Sequence, residues 1–361
     1  NPYLAISDLE VPVTRFSSRD QLFQVMPELF DRLTDYIWGG AGDPKRAERL
    51  QMAWEAYDRV VCEGDPQAEK PSDAIASTII NAHFEGRHLE PWSVWAGDSE
   101  HGTALLVSEI NYDLRAQLPS VEPDANVRGI KEAFFATLSA FTDPYVDEAA
   151  NENNAFDPEF SYEVTTWAKS VPTPIVEDER DAINRSTTEQ MEHVLSGNID
   201  EDGVFRGQIK AFGEWHLLGS EYVIYPPEDF KMPKGQTTFV GPFSLHVATF
   251  ELSRSNTTLS ESDHSWFSGL ASQHSGFLVF RNGLRVLPYG RIDNDFFQIE
   301  TRRSISAGRE FWNSRRMFGR VAISREENPN LRDKAGREGF IDNRSAKALR
   351  TLVIHILRRA A

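Results

Sequence analysis

The stretch that decides the fold runs from Gly276 to Ala361. It opens GFLVFRNGLRVLPYG (276–290), passes through RRMFGRVAISREENPNLRDKAGREGFIDN (315–343) and closes SAKALRTLVIHILRRAA (345–361). Phe277 to Phe280 is an apolar run of strand length, and Asn282-Gly283 is the dipeptide of a tight hairpin turn leading into Leu284–Leu287. Met317–Ser324 predicts a second strand. A polar loop follows, carrying Lys334 and Arg337, and then a helix over Ser345–Arg359. In that helix Leu349, Leu352, Val353, Ile356 and Leu357 recur at i, i+3, i+4, i+7 and i+8, a continuous apolar face. Ser345 is its expected N-cap, and Arg358 and Arg359 suit the negative end of the helix dipole.

Working outward, the helical pattern over Glu261–Ser272 lies between strand patterns over Phe243–Leu252 and Gly276–Arg281, which predicts a β-α-β unit. Further strands are expected at Ser161–Trp167, Val204–Phe212 and Tyr222–Tyr225, with turns at Gly197-Asn198 and Asp202-Gly203. Residues 143–160, DPYVDEAANENNAFDPEF, are acidic and poor in apolar residues, the composition of a linker or loop.

Before that point the pattern is largely helical. Helices are predicted from about Arg19 to Trp38, from Pro44 to Val61 with Asp43 as cap, and from about Ser72 to Phe84. Another is predicted within Pro123–Phe141. Tyr3–Ile6 and Val11–Val13 are short strand material, Trp92–Trp95 alternates as a strand does, and Gly102-Thr103 stands at the head of an expected buried strand running to Val107. His83 and His88 are spaced i, i+5, which does not place both on one helix face, and no metal site is expected.

The helix and strand patterns together make an α+β chain; its 361 residues fit two or three domains, and 40% hydrophobic and 26% charged residues describe an ordinary globular protein. No run approaches a membrane span and no signal peptide opens the chain. The first residue is Asn1 rather than Met, as in a processed or trimmed segment. Cys62 stands alone, which excludes an intramolecular disulfide and fits a reducing, cytoplasmic setting. The net charge of −17 is uneven. Residues 276–361 hold 18 Lys and Arg against 9 Asp and Glu, net +9; the remaining 20 and 46 give residues 1–275 a net −26. A basic module on an acidic body suits an anionic partner, namely nucleotide phosphate, nucleic acid or the acidic body itself.

The order of parts in 276–361 resembles the transducer (middle) region of the GHKL ATPases, which include the ninety-kilodalton heat-shock chaperones, DNA gyrase B, MutL and the MORC proteins. The pieces that carry the likeness are Phe277–Arg285, Val321–Glu327, Asn328-Pro329-Asn330-Leu331 through Gly336-Arg337-Glu338, and the helix Ser345–Arg359. The wording is also similar to bacterial members of the superfamily, for which a defence or DNA-repair setting is implied. On this resemblance residues 1–142 are a helical segment plus the end of a partial or degenerate GHKL-like nucleotide-binding domain. Residues 161–361 are then a βαβ transducer-type domain.

The resemblance also implies roles. Arg337 matches an arginine that reaches the γ-phosphate across a domain interface, Lys334 the lysine that MutL and gyrase use there, and Arg332 is a third cation of the loop. A guanidinium grips phosphate with two bonds, whereas lysine acts as a point charge. Either would stabilise charge developing on the transferred group. Thr103, with Gly102, matches the Gly-Thr that helps bind adenine. The other core motifs are not found. Glu28–Asp35 is faintly similar to the N-box, but Arg32 stands where magnesium needs an Asn. ATP and Mg2+ are the implied cofactors, and a homodimer and a nucleic-acid or protein partner at the basic region the implied assembly. Two functions stay open: an ATPase component coupling ATP to a conformational change, and a non-catalytic scaffold or nucleic-acid binder that keeps the transducer fold. The loop itself can equally be a solvated basic surface.

Overall fold

The computed structural model describes residues 12–39, 43–108, 110, 141–146, 160, 162–168, 170–176, 183–216, 221–290, 294–305, 311–335 and 339–361. The chain divides into two compact units, 1–115 and 116–361. The expected strand at Tyr3–Ile6 and the helix within Pro123–Phe141, apart from Phe141 itself, fall outside the described residues; of Val11–Val13 only Pro12 and Val13 are described, and neither is in a strand.

The first unit is helical. Helix α1 (Arg19–Trp38) starts at a Ser18 cap and stops at Gly39, whose left-handed φ of 85° brings its backbone against Ala47. Helix α2 (Pro44–Gly64) has Asp43 as cap and proline in its first turn, and α3 (Pro71–Asn81) follows. Ile37, Trp54 and Ile79 form their shared core, with Phe30, Leu33 and Tyr57 packed around it. Glu28, Asp31, Arg32 and Asp35 all face solvent on α1.

Two expected strands in this unit are corrected. Trp92–Trp95 is not a strand: after α4 (Gly86–Leu89), residues Ser93–Ala96 form a single helical turn, α5, closed by Gly97 at φ 92°. Trp95 leaves that turn to pack edge-on against Phe23, beneath Arg19. Four alternating residues are too few to separate a turn of helix from a strand, and the glycine decides it. Residues 101–108 are not a buried strand either. They have no strand partner among the described residues, and Leu105 is 85% exposed.

The second unit is built on a mixed eight-stranded sheet, and the chain is an α+β protein. Strands β1 (Val164–Ala168) and β2 (Val171–Val176) pair separately as a two-stranded ribbon. The main sheet comprises β3 (His193–Ile199), β4 (Phe205–Ala211), β5 (Glu214–His216), β6 (Tyr222–Ile224), β7 (Phe243–Thr249), β8 (Gly276–Arg281), β9 (Leu284–Arg285) and β10 (Met317–Ile323). Their order is β5-β4-β3-β7-β10-β8-β9, with β6 also pairing β4. Helix α6 (Arg185–Glu189) precedes β3, α7 (Glu261–His274) joins β7 to β8, α8 (Ile299–Ile305) lies between β9 and β10, and α9 (Arg344–Arg359) is terminal.

The β-α-β expectation is right in its elements and wrong in its pairing. β10 runs between β7 and β8, antiparallel to the first and parallel to the second, so the two strands joined by α7 are opposed and not neighbours. The parallel pair is β8 with β10, connected through α8. The turn expected at Gly197-Asn198 is also corrected, because both residues lie inside β3. Gly197 stands opposite Gly207, and the Phe205 ring occupies the space a Cβ on either would need. Asn282-Gly283 does form the hairpin turn, with φ of 49° and 77°.

Helix α9 covers one face of the sheet. Leu349, Leu352, Val353, Ile356 and Leu357 are buried there against Leu195, Leu245, Val279 and Val321. Its N-cap is Asn343 rather than Ser345: the Asn343 carboxamide accepts from the Ala346 N–H, while the Ser345 hydroxyl donates outward to the Thr238 carbonyl. The opposite face carries a second core of Val194, Ala248, Phe318, Phe250 and Phe267, the last from α7. Asp143 and Tyr145, placed by composition in a linker, are buried in that second face.

Candidate functional site: a cationic hairpin

The loop between β10 and α9 leaves the sheet where parallel strands β8 and β10 reach their carboxyl ends, Arg281 lying opposite Ile323. Ligand sites in sheets with parallel strands favour that edge. Three asparagines fix the base of the loop. Asn328, 1% exposed, accepts from the Gly241 N–H at 3.0 Å and donates to the Pro242 carbonyl at 2.8 Å. Asn330 donates to the carbonyls of Gln236 and Phe239, and Asn343 donates to the carbonyl of Asn330 at 2.8 Å. A short side-chain amide can serve a donor and an acceptor at once, which suits it to staple one irregular segment to another.

Beyond that base the chain is not an irregular polar loop. Its two limbs pair as a short antiparallel hairpin. The Ile341 N–H donates to the Arg332 carbonyl at 2.8 Å, the Lys334 N–H to the Gly339 carbonyl at 2.9 Å, and Asp333 bridges Phe340. The returning limb is anchored by Tyr289, whose hydroxyl accepts from the Phe340 N–H at 2.6 Å. Burial pushes that hydroxyl's pKa up to about 12, so it is neutral at physiological pH. Gly339 sits at φ 91°, and a Cβ there would lie 2.8 Å from the Tyr289 hydroxyl, so glycine is required on two counts.

Arg281, at the end of β8, holds both limbs. Its guanidinium donates to the Asp333 carboxylate at 2.7 Å and to the Leu331 carbonyl, and its plane lies over the Phe340 ring at 5.3 Å. Phe340 in turn packs with Tyr289 and Phe296, and Arg350 of α9 covers Phe296 at 5.6 Å.

Of the residues singled out in the sequence, Arg332 and Lys334 lie on this hairpin and both are exposed. Arg337 falls between the paired limbs and outside the described residues. Gly102 and Thr103 are exposed and belong to the other unit. Trp92 and Val94 crowd Gly102, and no buried carboxylate accompanies Thr103 among the described residues. The residues that shape the hairpin, namely Arg281, Tyr289, Asn328, Asn330 and Asn343, were not singled out from sequence. The signal available was the density of Asn around a Gly-rich basic loop.

Among the described residues, no group of three His, Cys, Asp or Glu side chains is arranged to hold a metal ion. The exposed cations Arg332 and Lys334 suit an anionic group, and no carboxylate cluster of the kind a divalent cation needs is found among the described residues. No described helix is long and apolar enough to cross a membrane. Comparison with protein-family models, with curated proteins and with solved structures finds no match for the chain.

Proposed function

We propose that this chain is the transducer-containing part of a GHKL-type ATPase, in which the hairpin 332–341 presents cations to the terminal phosphate of ATP held elsewhere. The observation that carries the reading is the hairpin itself: exposed Arg332 and Lys334 on the outgoing limb of a hairpin whose base is fixed by Asn328, Asn330, Asn343 and Arg281. A basic segment that served solubility alone would need no such base. Fixing a cation before it meets its anion removes an ordering cost, which is how positioned charges stabilise a transition state. What this chain supplies is charge and placement. Lys334 offers a compact charge, and Arg337 would offer a two-bond grip by resemblance. Binding on one side of the hairpin is then felt at β8, β10 and α9, to which its base is tied. That supports a coupling role, acting on a client or nucleic acid in a bacterial defence or repair setting.

The competing reading is a non-catalytic scaffold or nucleic-acid binder that keeps the transducer fold. It draws on Arg344, Lys347 and Arg358, exposed along α9. ATP turnover by the complete gene product separates the two. On the ATPase reading, Arg337→Ala lowers turnover by about a thousandfold, as an arginine finger on a transferring phosphoryl group does. Lys334→Ala has the larger effect if the lysine is the primary contact. Lys334→Ala is expected to leave the melting temperature unchanged, because Lys334 is exposed. Parent-like turnover in both variants, or no turnover in the parent with salt-sensitive nucleic-acid binding, sinks the ATPase reading.

A further inference from the structure

We propose that Arg281 is a positioning residue for the cationic hairpin, setting where Lys334 stands without touching the phosphate itself; this rests on the ATPase reading above. Three independent contacts converge on one guanidinium. The Asp333 carboxylate and the Leu331 carbonyl belong to the outgoing limb, and the Phe340 ring belongs to the returning limb. Arg281 is the last residue of β8, paired in register with Ile323 at the end of β10, so its backbone is fixed by a central parallel strand. Its side chain is 17% exposed, against 38% for Asp333, so the ion pair is shielded on the side facing the sheet.

The arrangement needs arginine. A planar fork can donate to a carboxylate and a carbonyl at once while its face lies on an aromatic ring, and a lysine can satisfy one of these at a time. Asp333 immediately precedes Lys334, so the contact that fixes Asp333 also limits where the next side chain can point. The Asp333 charge is neutralised by Arg281, which leaves the positive charges of Arg332 and Lys334 on either side of it uncompensated by it.

The test uses Arg281→Lys and Arg281→Ala in the complete gene product, with two readouts. Hydrogen exchange at the amides of Lys334 and Ile341, whose acceptors are Gly339 and Arg332, is expected to quicken at least tenfold while amides within α9 keep their parent rates. Turnover of ATP is expected to fall about a hundredfold in kcat with KM unchanged, the scale of a small misplacement of a catalytic group. Arg281→Lys, which keeps the charge, is expected to fall between parent and Arg281→Ala; it carries the test alone if Arg281→Ala does not fold. Unchanged exchange at Lys334 and Ile341 overturns the proposal. So does parent-like kcat in the Arg281 variants when Lys334→Ala or Arg337→Ala lowers it. If all four variants turn over ATP like the parent, the ATPase reading fails and the catalytic part of this proposal with it. The exchange data then decide separately whether Arg281 holds the hairpin.

Discussion

Toward α9 the eight-stranded sheet presents Leu195, Leu245, Val247, Val279, Val321 and Ile323. Toward α6 and residues 141–146 the same strands present Ser196, His246 and Arg320, in register across β3, β7 and β10. His246 is 1% exposed. Its Nδ1 lies 3.2 Å from the Ser196 hydroxyl and its Nε2 2.8 Å from that of Thr188, and the Tyr145 ring lies 5.6 Å from its own. Burial, with Arg320 and Arg185 nearby, lowers its pKa well below the ordinary range and keeps the ring neutral. Arg320 pairs with Asp143 at 2.5 Å and donates to the Ser244 hydroxyl and the Tyr145 carbonyl. The apolar face is held by area and shape, which tolerate exchange among similar side chains. The second face sets this polar row beside its own apolar cluster, and the row is held by assigned partners, where losing one member strands another.

That contrast breaks most sharply at the buried ion pair. Asp143→Ala leaves a guanidinium that cannot shed its proton in a site where no other carboxylate among the described residues pairs with it. A loss of about 3–5 kcal/mol in urea unfolding is expected. Arg320→Ala should cost less. Burial already pushes the Asp143 carboxyl up, against the pull of Arg320, so the stranded acid can take up a proton. Equal losses, or the reverse order, would show that the pair is not what holds residues 141–146. On the apolar face Leu352→Ala should cost about 2–5 kcal/mol, with Leu352→Met recovering most of it. A Leu352→Met as damaging as the alanine would mean that this face, too, depends on assigned geometry.

The smallest effect is a pH dependence, again on the second face. Glu192, just before β3, accepts from the N–H groups of Glu251 and Thr258 and from the hydroxyls of Thr257 and Thr258. Burial works against its charge, but these donors together outweigh it and hold the carboxyl below its ordinary value. A carboxyl lowered in the folded state stabilises fully above the unfolded value of about 4.3, and loses that contribution as pH falls toward the folded value. Stability should therefore drop across that acid window, and Glu192→Gln should flatten the drop while leaving α9 unaffected. The same slope in parent and variant would remove Glu192 from the account.

The two faces also differ in what a reader of the sequence can see. The face under α9 was legible because its residues repeat every three or four positions, and the hairpin turn because Asn282-Gly283 carries its own signature. β3 was missed because Gly197-Asn198 reads as a turn until Gly207 is known to lie opposite. The crossing order of β7, β10 and β8 lies in long-range pairing, which no local window contains. The same holds for the site. Lys334 and Arg332 were visible as charges in a glycine-rich loop, whereas Arg281 gains meaning from Leu331, Asp333 and Phe340, about 50 residues away. Thr103 looked like the head of a buried strand because the apolar residues after it were taken for core, yet none of them is buried and Leu105 and Val107 stand in solvent.

The crossing of residues 141–146 over the sheet bears on the order in which the molecule assembles. The Arg320 contact to the Tyr145 carbonyl spans 175 positions, against 45 for the Trp312 bond to the last turn of α9. Closing a longer loop costs more entropy before any contact rewards it, and contacts of that kind form slowly. The part of the α9 face made with Val279, Trp312 and Val321 can therefore condense first, while its contacts to Leu195 and Leu245, and the ion pair last of all, wait for longer loops to close. A late contact influences how fast the native state is lost more than how fast it forms. In stopped-flow measurements Asp143→Ala should thus steepen unfolding and leave refolding near the parent rate, which would make the strap a lock on lifetime rather than a guide to the fold.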